Sequence, residues 1–162
     1  MDPARLRPPE LLVLFSAIVL AISLFSRWYE PDAGGIATEE LRASGIPEAL
    51  SGWEALGRLD ILLALLILAG LLLVAMFLFT NSPALQIPAG VLTILVGAIA
   101  LVWSVVRLIN PPGESLDPAA GAFLGFAAVA GVLAGAVWSN RSEAVPVPPE
   151  QPVPEVLDTP AP

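Results

Sequence analysis

Arginines and carboxylates supply most of the chemistry available to this chain of 162 residues, which contains no histidine and no cysteine. Arginine beside apolar surface can bind an anionic lipid headgroup or ligand. The alternative, which we favour, is a set of surface anchors and ion pairs, each worth about 0–1 kcal/mol. The five charges expected to gather at one end of the molecule are Arg27, Arg58, Asp60, Arg107 and Asp117.

The missing residue types exclude several kinds of site. Without imidazole or thiolate the chain cannot form a disulfide, a Cys/His zinc site or a Ser-His-Asp triad. We also find no metal-ligand spacing and no nucleophile–base pair, so we expect no enzyme, no metal and no cofactor. The net charge is −8, with acids concentrated in residues 30–60 and in the C-terminal tail. Such a distribution disfavours nucleic-acid binding.

The elements that must position these charges are apolar. The chain is 56% hydrophobic and has a mean hydropathy of +0.80, which indicates a membrane protein. Four stretches approach the roughly 20 apolar residues that a helix needs to cross a bilayer. We therefore predict an all-α membrane protein, a four-helix transmembrane bundle over residues 11–140 that follows a short N-terminal segment, 1–10. The predicted spans are residues 11–28, 59–79, 87–109 and 118–138.

Local signals mark where these helices begin. Asp117 is a predicted N-cap before Pro118, and Pro88 is predicted at the first turn of the third span. Ser51 and Glu54 have capping-box spacing. The second helix is therefore predicted to begin near Ser51, in the membrane interface, and to continue unbroken through the bilayer.

Two segments are predicted to lie outside the bilayer. The outer loop, residues 29–58, is expected to be structured, with a short helix that starts at Thr38 and breaks near Gly45. The tail, residues 141–162, is rich in proline and acid, so we predict it to be disordered. The first apolar stretch also resembles a signal peptide, but no small-residue cleavage site follows it. We predict that this stretch is retained.

Small residues on the third and fourth spans allow close helix packing. In the fourth span they fall along one side of the helix, and in the third they offer a complementary groove. The strip is either a dimerisation face or a packing surface for the protein's own spans, and we favour the second interpretation. The candidate packing residues are Gly121, Gly125, Ala128, Gly135, Gly90 and Gly97.

Polar residues inside the spans are few and small. A proton relay or ion-coupled carrier needs a charge near the membrane centre. Glu10 lies instead at the entrance of the first helix, where an acid complements the helix dipole. We expect the hydroxyls within the spans to bond to their own helix backbones. These hydroxyl residues are Ser16, Ser23, Thr93 and Ser104.

Aromatic residues near the span ends predict two interfacial belts. They are Trp28, Tyr29, Trp53, Trp103 and Trp138. The number of arginines is almost equal on the two sides of the membrane, so the count alone gives no orientation. Because Arg5 and Arg7 precede the first span, we predict that both termini are cytoplasmic. All seven cations are arginine, which is typical of a GC-rich bacterial genome. We predict a bacterial plasma-membrane location.

The order of these parts resembles that of small four-span membrane proteins of actinobacterial type. The resemblance rests on "LFSRWYE", "SGWEALGRLDILLALLILA", "SPALQIPAGVLTILVG" and "RLINPPG" followed by "GAFLGFAAVAGVLAG". It covers roughly residues 11–140. The group has Leu-Pro-Trp-Tyr near Trp28 and arginines near Asn81, and this chain departs from both patterns. The resemblance implies the architecture and carries no activity.

Together these observations predict a non-catalytic membrane protein that acts through interaction, as an accessory, scaffold or assembly subunit. The predicted partners are the lipid bilayer and either a membrane protein or further copies of the chain. The alternative is a small transporter or channel-like homo-oligomer for a small or lipidic solute. A polar stripe inside the assembled helices favours that alternative, and a packed apolar interior disfavours it.

Overall fold

The computed structural model describes residues 7–31, 49–79, 83–111 and 116–142, which are mostly helical. The helices, in chain order, are α1 (Pro8–Leu24), α2 (Gly52–Ala55), α3 (Arg58–Phe79), α4 (Pro83–Ile109) and α5 (Ala120–Ser142). The strands are β1 (Arg27–Pro31), β2 (Leu50–Ser51) and β3 (Leu116–Pro118).

Within the described residues, three helices are long and apolar enough to cross a membrane: Arg58–Phe79, Gln86–Ile109 and Ala120–Ser142. They indicate a multi-pass membrane protein. The apolar helix α1 is shorter, with 17 residues, or about 26 Å of helix against a hydrocarbon core of about 30 Å.

The long helices pack around an apolar interior. Contacts run from α1 to α5, from α5 to α4, from α4 to α3 and from α3 back to α1. Helix α1 therefore lies between α3 and α5. Residues that are completely buried there include Val13, Ala17, Leu20, Leu63, Leu66, Ala100, Val129 and Val132.

A three-stranded antiparallel sheet, with strand order β2–β1–β3, joins one end of these helices. Tyr29 is paired with Pro118 and Glu30 with Asp117, and the Ala119 N–H donates to the Trp28 carbonyl at 2.8 Å. The all-α prediction is therefore wrong at this end. Strands of two to five residues are too short to show the alternation that identifies a strand in sequence.

The sheet changes where two predicted spans begin and end. Helix α1 ends at Leu24, before the predicted limit at residue 28, because β1 starts at Arg27. Helix α5 starts at Ala120, so Asp117 and Pro118 belong to β3 rather than to a helix cap. Residues 117 and 118, which the sequence pattern assigned to the start of the helix, pair with β1 instead.

The second and third spans also begin differently from the prediction. Glu54 accepts a hydrogen bond from the Ser51 N–H at 3.0 Å, as capping-box spacing predicts, but the capped helix is the single turn α2. Gly57 has φ of 56° and separates it from α3. Helix α4 begins at Pro83, which places Pro88 inside it. The predicted Thr38 helix lies outside the described residues. So does the predicted disordered tail, except for Arg141 and Ser142, which belong to α5.

The small residues of α5 face α1 and β1 of the same chain. A Cβ atom at Gly121 would overlap the Arg27 carbonyl, and one at Gly125 would overlap the Trp28 ring. A Cβ atom at Gly135 would lie 2.7 Å from a Val13 methyl group. Ala128 is also buried. This side of α5 is therefore occupied by α1 and β1 of the same chain.

The third-span glycines face α5. A Cβ atom at Gly90 would lie 2.9 Å from the Asn140 Oδ1 atom, and one at Gly97 would lie 3.4 Å from a Leu133 methyl group. Gly90 is therefore the tighter site, whereas Gly97 has room for a methyl group in ordinary contact.

We expect Gly121→Ala to destabilise the protein by about 1–3 kcal/mol, because the new methyl group meets a backbone carbonyl that cannot rotate away. Gly97→Ala is the matched control and should be neutral or stabilising, since alanine gains up to about 1 kcal/mol of helix propensity. Thermal unfolding in one detergent checks both variants. Equal stability of the two variants would contradict the close approach of α5 to β1.

Candidate functional site

The aromatic pair that follows α1 closes the sheet end of the helices. Trp28 and Tyr29 are 2% and 0% exposed. The Trp28 indole N–H donates to the Ser23 carbonyl at 2.6 Å, and the Tyr29 hydroxyl donates to the Arg107 carbonyl at 3.1 Å. Their place at the membrane interface stays a prediction, but neither ring faces outward, because β1 turns both rings inward and each polar tip finds a backbone acceptor.

The Tyr29 bond has a structural consequence at the end of α4. The Arg107 carbonyl is one of the last four carbonyls of α4. Such carbonyls receive no hydrogen bond from an N–H group of their own helix. Tyr29 supplies a donor to it from β1. Strand β1 is therefore hydrogen-bonded to the C-terminal end of α4.

The five predicted charges lie on elements that meet at this end. Arg27 belongs to β1 and Asp117 to β3, Arg58 and Asp60 open α3, and Arg107 lies in the last turn of α4. Arg27, Arg58 and Asp117 are exposed, whereas Asp60 and Arg107 are partly buried. The Asp60 carboxylate accepts the Ile61 N–H at 2.8 Å.

Two further acids lie near these five charges and reduce the positive electrostatic potential that the arginines produce. Glu30 is exposed and lies directly opposite Asp117 in the strand register. Glu54 is exposed one turn before Arg58. Like charges opposite each other in a sheet repel, and the surface as a whole carries both signs. The geometry supports surface anchoring rather than a site for an anion.

The other predicted belt aromatics are at the surface. Trp53, Trp103 and Trp138 are 42%, 48% and 53% exposed. Trp53 also contacts Phe25, with ring centroids 6.1 Å apart. Exposed indoles near helix ends suit the boundary between hydrocarbon and water.

Two groups near the sheet have shifted pKa values. Burial raises the pKa of Tyr29 above 10.0, while the nearby Arg107 charge acts in the opposite direction. Hydrogen bonds from the Ser51 backbone and hydroxyl lower the pKa of Glu54. The first shift reports burial at the end of the helices, and the second reports the capped turn α2.

The opposite end of α1 holds a buried carboxylate whose partner the sequence did not reveal. Glu10 is 1% exposed. One carboxylate oxygen accepts the Ser139 hydroxyl at 2.7 Å and the other accepts the Arg7 N–H at 2.9 Å. Glu10 precedes Val13 and Ala17 at helical spacing, so it shares their buried face. This spacing is the sequence feature that could have predicted the burial of Glu10.

Hydroxyls within the long helices follow the prediction in part. Ser23 donates to the Leu20 carbonyl at 2.8 Å, and Thr93 donates to the Ala89 carbonyl at 2.8 Å and the Ala69 carbonyl at 3.3 Å. Ser104 is buried, and its hydroxyl has no partner among the described residues. The expectation of backbone bonding is therefore wrong for Ser104, and also for Ser16, whose hydroxyl forms no hydrogen bond with a described residue.

Comparison of the chain with protein families, curated proteins and solved structures finds no match. Over the described ranges, no group of three or more acidic, histidine or cysteine side chains is placed to hold a metal ion.

The single tyrosine provides a direct test of this end of the structure. Phenolate absorbance should give a Tyr29 pKa above 10.0 in the folded protein and a value of about 10 after unfolding. Stability from this group should be complete below the unfolded pKa and lost as pH rises through the folded pKa. Arg107→Gln should raise the folded pKa further, whereas Arg141→Gln at the other end should not. A folded value at or below 10 would contradict the burial.

Proposed function

We propose that the chain is a four-helix transmembrane bundle that acts without catalysis, as an accessory, scaffold or assembly subunit of a bacterial plasma membrane. Both termini are cytoplasmic in this proposal. The observation that carries it is the filled apolar interior, to which Val13 and Leu20 of α1, Leu66 of α3 and Val132 of α5 contribute.

The alternative is a small transporter or channel-like homo-oligomer. The buried Glu10 carboxylate is the observation in its favour, since ionisable groups in membrane helices often mark transport paths. Glu10 lies in the first turn of α1, however, and both of its oxygens accept hydrogen bonds. That arrangement favours a link between α1 and α5 over a transport path.

The sheet end is the proposed contact surface for a partner. Arg27 and Arg58 are exposed there beside Asp117 and the exposed Trp53 ring. Exposed charges of both signs favour specific registration with a partner more than nonspecific adhesion.

Purification of the tagged protein from its native membrane in mild detergent, followed by mass determination, tests the proposal. We expect a stoichiometric partner protein. Paired Arg27→Glu and Arg58→Glu substitutions should lower its capture several-fold, because they reverse exposed charges at the contact surface. Arg141→Glu, at the opposite end, is the control and should retain capture.

A symmetric oligomer of this chain alone would contradict the accessory role and support the alternative. Solute flux into vesicles containing the purified protein would then be the next measurement. If Arg141→Glu lowered capture of the partner as much as the paired Arg27→Glu and Arg58→Glu substitutions, the contact surface would not be at the sheet end.

A further inference from the structure

A groove opens on the surface between α1 and α5, about halfway along α1. Its volume is about 200 Å³. The lining residues are Phe15, Ser16, Val19, Leu124, Ala127 and Ala128. Phe15 and Leu124 are exposed and form its edges, whereas Ala128 is buried. Apart from Ser16, the lining side chains are hydrocarbon.

The Ser16 hydroxyl distinguishes this groove from a plain apolar surface. The side chain is only 5% exposed, and no described residue forms a hydrogen bond with it. Its oxygen lies against Gly131, where a Cβ atom would overlap it. Ser23 and Ser139, in contrast, both donate to protein acceptors. Ser16 therefore retains a donor that an occupant of the groove can use.

In the proposed four-helix transmembrane bundle, the depth of Ser16 restricts what that occupant can be. Ser16 is the central residue of α1, about 12 Å from either end of the helix. In a hydrocarbon core about 30 Å thick, the ester and phosphate groups of ordinary phospholipids lie about 15 Å from the centre. These groups do not reach Ser16, and water is scarce at that depth.

We infer that the groove between α1 and α5 binds a long-chain lipid that carries a hydroxyl or keto oxygen partway along its chain. The chain lies against Phe15, Val19 and Leu124, and its oxygen accepts the Ser16 hydroxyl. This site does not depend on the accessory role, but the depth of Ser16 rests on the proposed four-helix transmembrane bundle.

Competition photolabelling tests this site in the purified full-length protein. The probe is stearic acid with a mid-chain diazirine, and the competitors are 10-hydroxystearic acid and stearic acid. We expect label on the peptides that contain Phe15 and Ala127. The hydroxylated competitor should displace the probe roughly 2- to 10-fold better than stearic acid, the difference that one hydrogen bond makes.

Three variants separate the hydroxyl from the groove. Ser16→Ala should abolish the preference for the hydroxylated chain while labelling persists. Ala127→Leu should fill the groove and reduce labelling with either competitor. Ala134→Leu alters an exposed site on the same helix that does not line the groove, and it should behave as wild type. Circular dichroism of each variant checks that it is folded.

Equal displacement by the two competitors on the wild-type protein would overturn the inference. So would label that avoids both groove peptides, or a cross-linked dimer of the chain that blocks the groove. A preference that survives Ser16→Ala would equally contradict the assigned hydrogen bond.

Discussion

The close approach of α5 to the first helix and first strand is the constraint on which the remaining structure depends. At Gly121 and Gly125 any side chain would occupy the space of the Arg27 carbonyl and the Trp28 ring. At Gly135 the same holds for Val13 of α1. Lipid is as apolar as leucine, so helices in a membrane gain little from hydrophobic burial and associate through such fitted contacts. The glycines let α1 lie along α5 over most of its length.

This contact also determines both ends of the molecule. At one end it brings Trp28 and Tyr29 over the helices and lets β1, which follows α1, pair with β3, which precedes α5. At the other end it places the Glu10 carboxylate against Ser139. A buried carboxylate is costly unless its oxygens are hydrogen-bonded, so this pair fixes the register between the two helices. The same packing leaves the surface groove in which the Ser16 hydroxyl has no hydrogen-bond partner among the described residues.

The apolar stretches predicted the long helices well, because each carries twenty or so residues with few charges and clear turn residues around it. The spacing of Ser51 and Glu54 also predicted the capped turn. The sheet was not, since strands as short as Leu116–Pro118 have no period to detect, and Asp117-Pro118 equally suits a helix start. The burial of Trp28 and Tyr29 depends on contacts far away in the chain, such as the one with Arg107. Local sequence carries no record of such partners.

Pairing of β1 with β3 is the most direct test of this account, and the natural absence of cysteine makes it a clean one. Glu30 and Asp117 face each other in the register, and antiparallel partners have Cα atoms about 4.5–5.5 Å apart, within disulfide range. Glu30→Cys combined with Asp117→Cys should form an intramolecular disulfide in native membranes. Glu30→Cys combined with Trp138→Cys, at the opposite end, should not. Absence of the first cross-link, or its formation only between chains, would contradict the sheet and the packing of α1 on α5.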